Sequence, residues 1–117
     1  MRRGDIWLAD LDPAAGSEAA KTRPVVIVSN NARNEVSRTT RRGVMTIVPL
    51  TTNVARVLSF QVLVRADERT GLTHDSKAQA EQVRSVDVSQ LSRRLGALDA
   101  RTAAELDTAL LVHLALD

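Results

Sequence analysis

Thr22-Arg23-Pro24-Val25-Val26-Ile27-Val28-Ser29-Asn30 is the stretch that decides how this chain folds. Four β-branched residues stand in an unbroken row, opened by a proline and closed by turn-forming residues. The run is too short for a buried helix, and its apolar side chains alternate between two faces, so it predicts a strand covered on both sides. Pro24 fits there because the first residue of a strand need not donate to a ladder. Upstream, residues 4–10 read as a first strand with Ile6 and Leu8 on one face, and residues 12–18 carry the Pro, Gly and Ser of a loop. Downstream, residues 44–50 form a third strand that Thr51-Thr52-Asn53 ends. The polar span 30–43, with Arg33, Arg38, Arg41 and Arg42, reads as a mobile loop or a short helix.

Residues 59–65 alternate, with Phe60, Val62 and Val64 facing one way and Ser59, Gln61 and Arg65 the other. Residues 71–76 form a turn. Residues 77–84 alternate again, with Ala78 and Ala80 inward and Gln79 and Glu81 outward. Residues 92–98 supply a last short strand. The period then changes: Leu106, Leu110, His113 and Leu114 fall at helical spacing, with Asp99 or the Thr102…Glu105 pair as the cap. Five or six short strands and one closing helix make a mainly β (α+β) chain, a small, partly open antiparallel barrel. One domain is expected over residues 1–117.

Composition narrows the functions. The aromatic residues are Trp7 and Phe60 alone, which disfavours modules that stack successive bases on aromatic rings. Without cysteine there is no disulfide framework and no thiolate zinc site. His74 and His113 are the only imidazoles and lie far apart in sequence, so neither a metal nor a cofactor is expected. Met1-Arg2-Arg3-Gly4-Asp5 lacks the apolar stretch of a signal peptide, and no apolar run is long enough to span a bilayer, so a cytoplasmic protein is expected. The net charge is only +2, yet 14 of the 16 cations are arginine, the side chain that binds phosphate bidentately. GC-rich coding gives the same bias, so it is a weak pointer to nucleic acid.

An antiparallel pairing of residues 23–29 with residues 44–50 brings Arg23 close to Leu50 and Thr51 at one rim, near the Gly16-Ser17-Glu18 loop. A cation, a hydroxyl and a carboxylate then share a site. That set suits RNA cleavage by the RNA's own 2′-hydroxyl. Arg23 can stabilise charge on the phosphate oxygens, Thr51 can donate to one of them, and Glu18 can take the 2′-hydroxyl proton. Each also has an ordinary reading. An arginine at a strand start is often a solvated charge, and Thr51-Thr52-Asn53 is common turn chemistry. His74 beside Asp75 has no Gly-x-Ser-x-Gly elbow to accompany it and reads as a surface turn. The arginines of residues 33–42 are equally a solvated surface and a guide for phosphates.

In order along the chain stand Arg3-Gly4-Asp5-Ile6-Trp7, Asp10-Leu11-Asp12-Pro13, Gly16-Ser17-Glu18, the Thr22–Asn30 stretch, Ile47-Val48-Pro49-Leu50-Thr51-Thr52, and Ala80-Glu81-Gln82-Val83-Arg84-Ser85-Val86-Asp87. This ordered set resembles the MazF/PemK toxins of toxin–antitoxin systems over nearly the whole chain. The resemblance implies an SH3-like barrel and a homodimer. It also implies metal-independent, sequence-specific cleavage of single-stranded RNA to 2′,3′-cyclic phosphate and 5′-hydroxyl ends. A cognate antitoxin with an acidic C-terminal tail is the implied partner, and no membrane. The family's catalytic arginine, threonine and glutamate fall on Arg23, Thr51 and Glu18; Ser17, Lys21, Thr52, Asn53, Glu81 and Gln82 are the expected RNA contacts. The PemK/Kid branch has an arginine where Gln79 stands, so its alternative catalytic arrangement is not expected. Two other classes compete: a non-enzymatic gyrase poison of the CcdB type, which shares the fold, and a non-catalytic RNA-binding module.

Overall fold

Val25, Val26 and Ile27 are wholly buried, as a strand covered on both faces requires. The computed structural model describes residues 1–11 and 22–116. Within them the strands are β1 (Asp5–Asp10), β2 (Thr22–Ile27), β3 (Val44–Thr51), β4 (Gln61–Val64), β5 (Ser76–Gln79), β6 (Arg84–Asp87) and β7 (Leu91–Ala97), with helices α1 (Asn31–Thr40) and α2 (Ala100–Leu114). The sheet runs β4-β5-β3-β2-β1-β7, with β6 also paired to β3, and every pairing is antiparallel. β2 is central, which is why its run is apolar at successive positions. The expected mainly β architecture with a C-terminal helix is what forms.

The two faces of the sheet bury different cores. Ala9, Val25, Ile27, Met45, Ile47, Val86, Val88 and Leu91 fill the space inside β7-β1-β2-β3-β6. A 3-10 turn at Val88–Gln90 leads from β6 to β7, and Gln90 Nε2 donates to the Asp10 carbonyl at 2.9 Å, so these strands curl into a partly open barrel. On the other face Ile6, Val26, Val48, Leu50, Val62, Val64 and Ala78 pack under α2 through Leu106 and Ala109. Each fully buried aliphatic side chain stabilises by about 1.5–3 kcal/mol. Among the described residues no helix is long and apolar enough to cross a membrane.

The alternation at residues 77–84 predicts one strand, and the structure divides it. β5 ends at Gln79, a 3-10 turn occupies Ala80–Gln82, and β6 starts at Arg84. The cause is β3, which pairs with β6 along Val44–Ile47 and with β5 at Leu50 and Thr51. The register differs by three residues between those halves, and the three-residue turn takes up the difference. Residues 30–43 hold a helix rather than a loop. Asn30 caps α1 by accepting from the Arg33 amide at 2.8 Å, and Asn34 is buried, donating to the Ser29 carbonyl. β4 is shorter than its alternation predicts, and Gln61, expected outward, is buried.

Asp99 caps α2 through the Thr102 amide at 2.8 Å. That hydrogen bond holds the Asp99 carboxyl below the usual aspartate range. The cap's contribution is therefore complete above the ordinary aspartate pKa of about 3.9 and fades as pH falls below it through the lowered folded value. Asp99→Asn keeps an acceptor that does not titrate. Its melting temperature is expected to fall less than that of the native chain between about pH 6 and about pH 3. Parallel acid losses in thermal melts of the two proteins would show that the cap plays no part.

Candidate active site

β2 and β3 pair as Val25↔Pro49, Val26↔Val48 and Ile27↔Ile47. Carried two residues further, the same register sets Arg23 across from Thr51, each at the far end of its strand. Side chains alternate along a strand, so Arg23 lies on the face of Val25 and Thr51 on that of Pro49, which is one and the same face. Both are half-buried. On its other flank Arg23 pairs with Ala9 of β1, a wholly buried alanine too small to cover it. The Thr51 hydroxyl oxygen accepts from the Asn53 amide at 3.3 Å, a local turn that leaves its own proton to donate elsewhere.

Thr52 and Asn53 are exposed just beyond Thr51, and Gln82 is exposed in the Ala80–Gln82 turn. Glu81 is half-buried, and its Oε2 accepts from Gln61 Nε2 at 2.8 Å. Its Oε1 is buried with no hydrogen-bond partner among the described residues. Gln61 Oε1 in turn accepts from the Leu58 amide at 3.0 Å. Glu81 thus braces residues 52–60 from within. Glu18, Ser17 and Lys21 lie outside the described residues, as does all of the loop expected at residues 12–18.

His74 and Asp75 do not form a catalytic pair. Asp75 Oδ1 accepts from the Ala66 amide at 2.7 Å, and the His74 ring shares a hydrogen bond of 3.1 Å with the Thr73 hydroxyl. His113 sits on α2 against the Phe60 ring, with ring centroids 6.3 Å apart. Among the described residues no three His, Asp or Glu side chains are grouped to hold a metal ion. Of the α1 arginines, Arg38 is tied to Glu35 of its own helix at 2.6 Å.

Two residues beside this rim escape a reading by pattern. Gln61 looks like an outward polar position in an alternating strand, yet it is buried between Leu58 and Glu81. Lys77 pairs with Thr51 across β5 and β3, is only 8% exposed, and donates from Nζ to the Arg56 carbonyl at 2.6 Å. Its one sequence signal is the rarity of lysine, with Lys21 and Lys77 the only two.

The fold these elements define is an antiparallel seven-strand sheet closed by a C-terminal helix. The profile of PemK-like, MazF-like toxins of type II toxin–antitoxin systems matches residues 2–114, and the chain belongs to that family. More particularly, it is 53% identical over 116 residues to the endoribonuclease MazF9 of Mycobacterium tuberculosis, spanning 99% of this chain and 98% of that protein. Among solved structures, an endoribonuclease in complex with its cognate antitoxin from a mycobacterial species superposes with a TM-score of 0.76 at 27% identity, covering 100% of this chain and 97% of that one. A MazE–MazF complex from Deinococcus radiodurans gives 0.78 at 26% identity, covering 100% and 97%.

Proposed function

We propose that this chain is a toxin that cuts single-stranded RNA in the cytoplasm, working as one domain with Arg23, Thr51 and Glu18 at its centre. The 2′-hydroxyl oxygen attacks the adjacent phosphorus while the bond from phosphorus to the 5′-oxygen breaks. The products are a 2′,3′-cyclic phosphate and a 5′-hydroxyl. Arg23 offers its fork of N–H donors to the oxygens on which negative charge builds, and Thr51 donates a third hydrogen bond. Glu18 takes the 2′-hydroxyl proton, and a solvent water gives the departing 5′-oxygen the proton that makes it a hydroxyl. Ser17, Lys21, Thr52, Asn53 and Gln82 line the path of the strand. Glu81 acts through Gln61.

The single observation behind this reading is the antiparallel register of β2 and β3 from Ile27↔Ile47 to Val25↔Pro49, whose continuation leads Arg23 toward Thr51. Leu111, Val112, Leu114 and Leu116 are exposed at the end of α2, an apolar surface suited to a second copy of the chain, so the working form is a homodimer. Arginine-rich surface suits an antitoxin with an acidic C-terminal tail; structural neighbours have been solved as complexes with an antitoxin.

Purified protein incubated with a long unstructured RNA in excess EDTA tests the reading. Cleavage to cyclic phosphate and 5′-hydroxyl ends is expected, undiminished by the chelator. Intact RNA beside trapped gyrase–DNA complexes would point to a gyrase poison instead. Tight binding of uncut RNA would point to a binding module.

A further inference from the structure

Resting on the ribonuclease reading above, we propose that Lys77 is a positioning residue that fixes residues 52–60 and thereby sets which RNA sequences are cut. Lysine is almost never buried without a partner, because its ammonium loses hydration that one hydrogen bond replaces only in part. Lys77 is nonetheless 8% exposed, on a strand that pairs with β3 on one side and β4 on the other. An aliphatic residue would fill that place at lower cost. What the ammonium adds is a short hydrogen bond of 2.6 Å to the Arg56 carbonyl, 21 residues earlier in the chain.

Arg56 lies in the middle of residues 52–60, which contain no strand or helix. The segment is tied at one end by the Asn53 amide to Thr51, and at the other by the Leu58 amide to Gln61. Lys77 ties its centre. Thr52, Asn53, Ala55, Arg56 and Val57 are all exposed, so this span meets any strand of RNA that reaches Thr51. Thr51↔Lys77 and Leu63↔Lys77 are direct cross-strand pairs, so Lys77 and Thr51 share one face. The same lysine therefore stands beside the hydroxyl and holds the backbone next to it. Base selection needs donors and acceptors held to a fraction of an ångström, so a loosened backbone accepts more sequences and binds each less well.

Lys77→Met keeps the length of the side chain and removes the donor. Its cleavage sites in a long RNA are mapped by end sequencing against those of the native protein, with kcat and KM on an oligonucleotide carrying the preferred native site. The variant is expected to cut a broader set of sequences, with KM raised about tenfold and kcat within about threefold, the split that lost binding common to ground state and transition state produces. Lys77→Arg, which keeps a cationic donor, is expected to return the narrow pattern. If the Met variant does not fold, Lys77→Leu, which also lacks a donor, serves in its place. An unchanged cleavage pattern and KM would overturn the proposal, as would a collapse of kcat at constant KM, which marks a group acting on the reacting atoms. Failure of the native protein to cut RNA would end the ribonuclease reading and this inference together; one shared pattern ends this inference alone.

Discussion

Arg23→Ala is expected to lower the rate of RNA cleavage by about 10²–10³ and to abolish growth inhibition, with the protein still folded. The size follows from the role proposed for the guanidinium. In the transition state the phosphorus carries an extra oxygen ligand, and negative charge gathers on its two non-bridging oxygens. A planar fork meets both at once, and in a site that excludes water each such donor counts for far more than in bulk. Water entering the vacated space can replace the donors but not their prior alignment. Arg23→Lys keeps the charge and loses the fork, so an intermediate loss is expected.

Folding is spared because Arg23 is half-buried at the start of β2, before the core residues Val25 to Ile27. Single-turnover cleavage separates the chemical step from binding, and thermal melts report folding. Cleavage by the alanine variant at the native rate would remove Arg23 from the catalytic centre.

The second large effect concerns stability. Gly96→Ala is expected to destabilise the fold by more than about 3 kcal/mol, placing it among the severe single substitutions. A Cβ at Gly96 would lie 2.2 Å from the Arg69 carbonyl oxygen and 2.5 Å from the Thr70 carbonyl carbon. These are backbone atoms with no rotamer to change. They are held from the other side as well: the Ala97 amide donates to the Arg69 carbonyl at 2.9 Å, and the Thr70 hydroxyl donates to the Arg65 carbonyl at 2.9 Å.

Gly71 meets β7 in the same manner, where a Cβ would stand 2.0 Å from the Leu95 oxygen, and its φ of +69° also disfavours a side chain. The two glycines let a turn and a strand cross backbone to backbone. Urea unfolding measures the loss, and a midpoint within error of the native value would mean that the segments do not approach so closely.

Much of this was legible from residues alone because local pattern and final environment agree. Val25 to Val28 suit a doubly covered strand, and Val25 to Ile27 form one; the approach of Arg23 to Thr51 proposed above comes from extending that strand's pairing with the next apolar run. The break after Gln79 was hidden, since it arises from β3 exchanging one partner for another, and nothing within residues 77–84 records that exchange. Gln61 and Lys77 were hidden for a related reason. Each is a polar residue whose partner lies elsewhere in the chain, Glu81 for one and the Arg56 carbonyl for the other. The tight crossing at Gly71 and Gly96 joins segments 25 residues apart, and a lone glycine does not announce what presses on it. Glu18 could be named from the sequence but not located.

β1 lies between β2 and β7, joining the start of the chain to residues 91–97. During synthesis the first strand must therefore wait for the last before its second edge is covered. A polypeptide released early lacks β7 and α2, leaves β1 with bare amides and carbonyls, and uncovers the apolar surface that Leu106 and Ala109 close. A protein from a family of toxins thus gains its finished form only after residues 91–114 have been made.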